Sequence, residues 1–184
     1  MSTVPRLLTK YRKEVLSAMR AKFGYKNVMA IPKIEKAVVN VGFGRKAVAK
    51  ETKAIEKIEQ DLTKITGQKV AMRKAKQSIS GFKLRQGIDV GMTVTLRGRR
   101  MYDFIDRLIS IALPRSRDFH GLEQKAFDRH GNLNIGIKEQ TIFPEATYES
   151  LKDIFSLQVT ITTTAKSKEE GIELLRLVGF PIKI

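Results

Sequence analysis

Asn40 stands in the middle of an alternating run, Ile34 to Phe43, where Ala37, Val39, Val41 and Phe43 share one side and Lys36, Val38 and Asn40 the other. Asparagine is depleted at strand centres. A merely solvated strand face would be served as well by Thr or Lys. An amide offers both donor and acceptor groups, and so can bond a base edge or a 2′-hydroxyl. A second run, Ile88 to Arg97, alternates without a break: Ile88, Val90, Met92, Val94 and Leu96 against Asp89, Gly91, Thr93, Thr95 and Arg97. The chemistry these residues suit is the binding of a polyanion through hydrogen bonds and charge.

Between two strand-like stretches, Lys69–Lys74 and Ile88–Arg97, lies a long connection, AKQSISGFKLRQG (Ala75–Gly87). Connections of this length are uncommon in compact domains and are often functional. It sets Lys76, Lys83 and Arg85 beside Ile79, Phe82 and Leu84, a mixture suited to reaching folded RNA. The competing expectation is a partly ordered loop whose apolar residues fold back onto the core. From Lys69 to Arg100 there are nine Lys or Arg against the single acid Asp89, a net charge of +8.

Other chemistries find less support. The chain has no cysteine, so it has no disulfide framework, thiolate zinc site or thiol nucleophile. His120 and His130 are ten residues apart, with no carboxylate or cysteine in a ligand pattern around them. Gly42-Phe43-Gly44-Arg45-Lys46-Ala47 matches G-x-G-x-x-A between a strand and a helix. A dinucleotide site would need an acid closing the next strand to hold the ribose. That strand instead ends near Arg73-Lys74. The expectation is no enzyme and no cofactor or metal, with glycines that turn the chain and Arg45 and Lys46 near a phosphate.

The net charge of +16 is unevenly placed. Residues 1–100 hold 24 Lys or Arg and 7 acids, and the remainder 11 and 12. Such asymmetry favours a polyanion bound on one face over a generally basic surface. No apolar run approaches the length of a membrane span. The start, MSTVPRLLTKYRKEVL, lacks the apolar core of a signal peptide. It resembles a transit peptide in being basic and amphipathic, but is read as a folded helix.

The elements that must position these residues follow from periodicity. Helices are expected over 5–22 (Leu8, Tyr11, Val15, Met19 inward), 48–66 (Ile55, Ile58, Leu62, Ile65) and 99–113, the most apolar. Pro114 ends the last of these. A short helix is expected after Phe143-Pro144-Glu145, bearing Tyr148, Leu151, Ile154 and Phe155. The final helix opens at a capping box, Ser167-Lys168-Glu169-Glu170, with Ile172, Leu175 and Val178 inward. Further strands are expected at Leu133–Lys138 and Leu157–Thr162. Five strands, four of them strictly alternating, imply an α+β fold. Its single, mostly antiparallel sheet would have helices on one face and leave the other open to RNA. That open face would carry Asn40, Thr93, Thr95, Arg97 and Arg73, and no aromatic residue. Recognition of structured RNA by shape and backbone is therefore favoured over base stacking. With no linker or internal repeat, residues 1–184 are read as one domain.

The chain resembles the bacterial form of the universal family of 5S rRNA-binding ribosomal protein five of the large subunit. The resemblance rests on FGYKNVMAIPKIEKAVVNVGFG (Phe23–Gly44), TGQK (Thr66–Lys69), KAKQSISGFKLRQG (Lys74–Gly87), VTLRG (Val94–Gly98), ALPRSRDFHGL (Ala112–Leu122), EQTIFPE (Glu139–Glu145) and GFPIK (Gly179–Lys183). It runs over essentially the whole length. It implies that the open face docks on 5S rRNA, with Asn40, Gln68 and Thr95 at the family's polar contact positions and Lys36, Arg73 and Arg97 as phosphate-binding neighbours. It also implies that Lys76, Gln77, Ser78, Ile79, Ser80, Gly81, Phe82, Lys83 and Arg85 form the loop that reaches the peptidyl-site tRNA. The Arg115–Leu122 region would lie near the small-subunit head. Large-subunit rRNA and neighbouring ribosomal proteins would be further partners, on a cytoplasmic ribosome and away from membranes.

Overall fold

The computed structural model of the chain describes residues 4–117, 119–146 and 154–183. It contains a single five-stranded antiparallel sheet together with helices, the α+β fold expected from the alternation. The strands are β1 (Ile34–Gly42), β2 (Ala71–Lys74), β3 (Asp89–Leu96), β4 (Leu133–Ile137) and β5 (Leu157–Thr163), in the order β2-β3-β1-β5-β4. The described residues group into two compact units: Met1–Ala37, Leu96–Ile135 and Thr160–Ile184 in one, Val38–Thr95 and Gly136–Val159 in the other.

In the first unit the N-terminal segment is helical from α1 (Arg6–Lys10) through a π-helical turn (Tyr11–Val15) to α2 (Leu16–Phe23). Gly24 ends it in the left-handed conformation, φ +69°, with its N–H on the Arg20 carbonyl. The stop is therefore where a glycine, free of the Cβ penalty, is expected. The buried stripe is Leu7, Val15 and Met19. Leu7 replaces the expected Leu8, which is only half-buried. The Tyr11 hydroxyl donates to the Pro32 carbonyl at 2.9 Å. Burial foremost, with Tyr102 adding, raises its pKa to about 12.

Helix α5 (Gly98–Arg107) buries Met101, Tyr102, Phe104 and Ile105. It runs on through a π-helical turn (Leu108–Ala112), and Pro114 sits inside a closing 3-10 turn, Leu113–Arg115. The helix thus ends where proline was expected to end it.

Helix α6 (Lys168–Val178) begins as the capping box predicts: the Ser167 hydroxyl oxygen accepts the Glu170 N–H. The Glu170 carboxylate reaches back to the Ser167 N–H and also accepts from the Lys166 N–H at 2.9 Å. The buried residues of α6 are Gly171, Leu174, Leu175 and Val178, so Leu174 takes the place expected for Ile172. Gly171 is forced by its neighbour. A Cβ on Gly131 (φ +75°) would lie 2.8 Å from the Gly171 Cα and 2.8 Å from the Ser167 carbonyl oxygen.

The turn at Gly131 is tied by one carboxylate. Asp128 accepts from the His130 and Asn132 N–H groups at 2.9 and 2.8 Å and from the Asn132 side-chain amide at 2.7 Å. Burial pushes the Asp128 carboxyl up. These donors, the Asn132 amide first, outweigh that and leave it below its ordinary value. His120 and His130 are both exposed.

In the second unit the helix expected over 48–66 is two helices, α3 (Gly44–Val48) and α4 (Thr52–Thr66). Lys50, at φ +57°, makes the break. Ile58, Leu62 and Ile65 are buried as expected, and Ile55 is half-buried. Asp61 and Thr66 are buried as well, which the apolar period did not show. Strand β2 begins at Ala71, two residues later than Lys69. Gly91 is buried within β3, where a Cβ would come 3.0 Å from the Val41 carbonyl oxygen. That close approach explains a glycine inside an otherwise unbroken strand.

In EQTIFPE, the buried Gln140 side-chain oxygen accepts the Phe155 N–H at 2.8 Å, and the Gln140 N–H reaches the Phe155 carbonyl at 3.2 Å. This glutamine completes the backbone pairing just before β5. Of the short helix expected after Glu145, residues 147–153 lie outside the described residues.

Candidate nucleic-acid interface

In the second unit the alternation resolves as read along β1 and over Met92–Leu96 of β3, whereas Ile88 and Val90 are only half-buried and Gly91, on the polar side, is buried beneath the Val41 carbonyl. Val39, Val41, Met92 and Val94 are buried, while Asn40 and Thr95 are exposed and Thr93 half-buried. The Thr93 hydroxyl donates to the Asn40 side-chain oxygen at 2.9 Å. That bond orients the amide and keeps its two N–H donors for another acceptor. The Gln68 amide donates to the Thr95 carbonyl at 3.1 Å, anchoring the residue between α4 and β2 to the C-terminal end of β3. The antiparallel register pairs Ala71 with Thr93 and Arg73 with Gly91. Directly opposed residues share a sheet face, so Arg73 joins Thr93 on the polar side. The register then slips, and Lys74 pairs with Asp89. All four residues of β2 are exposed, and Arg73 and Lys74 charge this outer strand. Charge on an edge also discourages pairing with another chain.

The two remaining cations of the expected site belong to the first unit. Lys36 is half-buried on β1. Arg97 donates to the Glu35 carboxylate at 3.0 Å, with both side chains about half exposed. This bond is the main reason that the Glu35 carboxyl lies below its ordinary value. Strand period places Arg97 on the polar side but carries no sign of this partner, 62 positions away. A second Thr–Asn bond occurs in this unit, from the Thr160 hydroxyl to the Asn134 side-chain oxygen at 2.7 Å. Asn134 occupies a polar position of an alternating run, as Asn40 does, and that period was the signal available for it.

The long connection is a small folded structure. Ala75 and Gly87 close its neck through the bonds Ala75 N–H to Ile88 O (2.8 Å) and Gly87 N–H to Ala75 O (3.0 Å). Ile79 and Leu84 exchange both backbone bonds, at 3.0 and 3.1 Å, around a 3-10 turn at Ser80–Phe82. Lys83, at φ +52°, completes the turn. The Ser78 hydroxyl accepts the Gln86 N–H at 3.0 Å. Two of the hairpin's apolar side chains do not fold back on the core, Phe82 being 70% and Ile79 46% exposed, while Leu84 is half-buried. The tip therefore presents an aromatic ring on a hairpin whose Lys76, Lys83 and Arg85 are all exposed.

Gly42 and Gly44 have negative φ, and a Cβ on either would meet nothing within 4 Å. The tight turn expected of them does not itself require glycine. Among the described residues there is no group of His, Cys, Asp or Glu placed to hold a metal. No helix among them is long and apolar enough to cross a membrane.

In the second unit, hydrogen-bonding amides and hydroxyls on β1 and β3 accompany the exposed cations of β2 and of the basic hairpin, in a protein of α+β class. Comparison with known proteins agrees. The family model for ribosomal protein L5 matches residues 27–85, and that for the ribosomal L5P family C-terminus matches residues 89–182. The chain is 52% identical to large ribosomal subunit protein uL5 of Moorella thermoacetica, over 97% of its own length and 98% of the relative's. Identity to the uL5 proteins of Carboxydothermus hydrogenoformans and Clostridium botulinum is 49% and 52%, with the same coverage. The chain belongs to the ribosomal protein L5 family.

Proposed function

We propose that the chain is a structural constituent of the large subunit of a bacterial, cytoplasmic ribosome, that it binds 5S rRNA, and that it helps attach that RNA in the central protuberance. The observation that carries the reading is the Asn40 amide, exposed on a strand and held by Thr93 at 2.9 Å with its N–H donors outward. Asn40, Gln68 and Thr95 select the local RNA shape and its 2′-hydroxyls. Arg73, with Lys36 and Arg97, displaces counterions from phosphates, the term that supplies most of the affinity. The protein acts as one RNA-binding domain and not as an enzyme.

The folded hairpin at Ala75–Gly87 reaches a second RNA, the peptidyl-site tRNA. Its exposed Phe82 and the flanking Lys83 and Arg85 suit the surface of a folded RNA. The Arg115–Leu122 region faces the small-subunit head. Large-subunit rRNA and neighbouring ribosomal proteins complete the partners.

The test is a titration against 5S rRNA and against an unrelated RNA of equal length over a salt series. The expected result is tighter binding of 5S rRNA at every salt concentration. Equal affinities would sink the specific reading.

A further inference from the structure

We propose that the C-terminal segment Pro181–Lys183, in the first unit, is a clamp that sets the path of Phe119 and His120, so that these two residues meet the small-subunit head in a preformed shape. The inference rests on the reading above that the Arg115–Leu122 region faces that head. Pro181 and Lys183 are positioning residues, which act through Leu122.

The tail is fixed before it reaches the clamp. Helix α6 closes with the Gly179 N–H on the Leu175 and Arg176 carbonyls, at 3.1 and 3.0 Å, and the Phe180 N–H also on Leu175, at 3.0 Å. Phe180 is buried. Pro181 then adds a fixed φ and carries no N–H of its own. The Ile182 N–H returns to the Phe180 carbonyl at 2.9 Å. Two bonds join this tail to Leu122: the Leu122 N–H donates to the Pro181 carbonyl at 2.8 Å, and the Lys183 N–H donates to the Leu122 carbonyl at 2.9 Å. One residue thus bonds both neighbours of its partner, which makes Leu122 and Ile182 a parallel bridge. The Leu122 side chain is buried, so the clamp also seats an apolar anchor. Gly121 precedes it at φ +92°, and a Cβ there would come 3.2 Å from the Pro181 carbonyl oxygen. Both the left-handed backbone and the close approach of the tail require glycine.

The stretch that the clamp ends has little else to hold it. The Ser116 N–H reaches the Leu113 carbonyl at 3.1 Å and closes the 3-10 turn after α5. Beyond it, no hydrogen bond among the described residues holds Arg117, Phe119, His120 or Gly121. Past Leu122 the next backbone bridge along the chain is that of Phe127 with Leu133. His120 is exposed and Phe119 half-buried, so the clamp acts on residues that a partner can reach. A loop pinned at both ends loses less freedom on docking than one pinned at a single end, and the difference appears as affinity.

The experiment removes one clamp bond from the full chain. Lys183→Pro deletes the N–H that Leu122 accepts, a chain shortened to end at Ile182 loses the same N–H without a proline ring, and Lys183→Ala keeps it. Tryptic cleavage after Arg115 and Arg117 reads the loop. A photo-crosslinker on His120→Cys, the one thiol in a chain without cysteine, reads its contact with the small subunit in assembled ribosomes. Lys183→Pro and the shortened chain are expected to raise the cleavage rate about fivefold to tenfold, the scale of one lost hydrogen bond. They should lower the crosslink yield and leave 5S rRNA affinity unchanged. Lys183→Ala should match wild type throughout. Because Lys183 is exposed, the melting temperature should hardly move. Wild-type cleavage rates in both Lys183→Pro and the shortened chain overturn the proposal. So does a loosened loop with an undiminished crosslink, and so does Lys183→Ala behaving like Lys183→Pro, since the side chain would then be the cause. If His120→Cys with an intact tail gives no crosslink while loss of the Lys183 N–H still raises cleavage, the clamp stands and the small-subunit reading falls.

Discussion

Thr93 and Asn40, on neighbouring strands β3 and β1, share a hydrogen bond of 2.9 Å in which the hydroxyl donates and the amide oxygen accepts. Its consequence is direction. The amide oxygen is occupied within the protein, so the group that Asn40 presents outward is its NH2, a donor for phosphate, ribose or base acceptors.

Asn40→Ala should therefore lower 5S rRNA affinity by about 1–2 kcal/mol, roughly tenfold, while costing little stability because the pair is not buried. Thr93→Val should cost less than Asn40→Ala, since it leaves the amide present but unoriented. Filter binding and thermal melting of the three proteins distinguish these outcomes. An Asn40→Ala protein that binds like wild type would exclude this strand face as the docking face.

Glu35 holds Arg97 at 3.0 Å. Glu35→Gln releases the guanidinium and removes a carboxylate that repels phosphate, so it should raise RNA affinity a few-fold at low salt. Arg73, which makes no ion pair with the described residues, behaves differently. Arg73→Gln should reduce the slope of log K against log salt by about one. If Glu35→Gln weakens binding, Arg97 is not a phosphate contact.

Deleting residues 78–83 removes the hairpin tip and leaves the Ala75–Gly87 neck bonds in place. Binding to 5S rRNA should stay nearly intact, and contact with tRNA in assembled ribosomes, read by crosslinking or chemical protection, should weaken. Collapse of 5S rRNA binding would mean that one surface serves both RNAs.

The Gly131–Gly171 approach leaves no room for a side chain. Gly171→Ala should cost about 2–4 kcal/mol, because backbone on both sides has to move. Urea denaturation should show a lower midpoint with an unchanged slope. A midpoint within experimental error of wild type would show that the turn yields easily.

Burial works against the charge on Asp128 and Glu170, yet hydrogen bonds lower the pKa of both. A carboxyl with a depressed folded pKa contributes stability that is present above its unfolded pKa, about 4, and is lost as pH falls through the folded value. Unfolding free energy should thus fall in acid, below about pH 4, and Asp128→Asn should flatten that fall. Urea titrations at pH 7 and in the acid range measure it.

Much of this protein was legible in its sequence for a plain reason: strand and helix periods are local. Alternation alone set the inward faces of β1 and β3, located Asn40, Thr93 and Thr95 opposite them, and implied an antiparallel α+β sheet. Pro114 and Ser167 marked helix ends through their own backbone and capping chemistry. The concentration of charge before residue 101 pointed to a polyanion without any coordinates.

What only the tertiary structure decided concerns residues far apart in the chain. That Gln68 anchors on Thr95, that Glu35 engages Arg97, that Gly131 and Gly171 touch backbone to backbone, and that β2 lies at the outside of the order β2-β3-β1-β5-β4 are all long-range pairings, and period carries no information about them. The long basic connection shows the same division. Its composition marked it as a reach, but only the Ile79–Leu84 pairing shows how a chain without a core of its own keeps Phe82 in water.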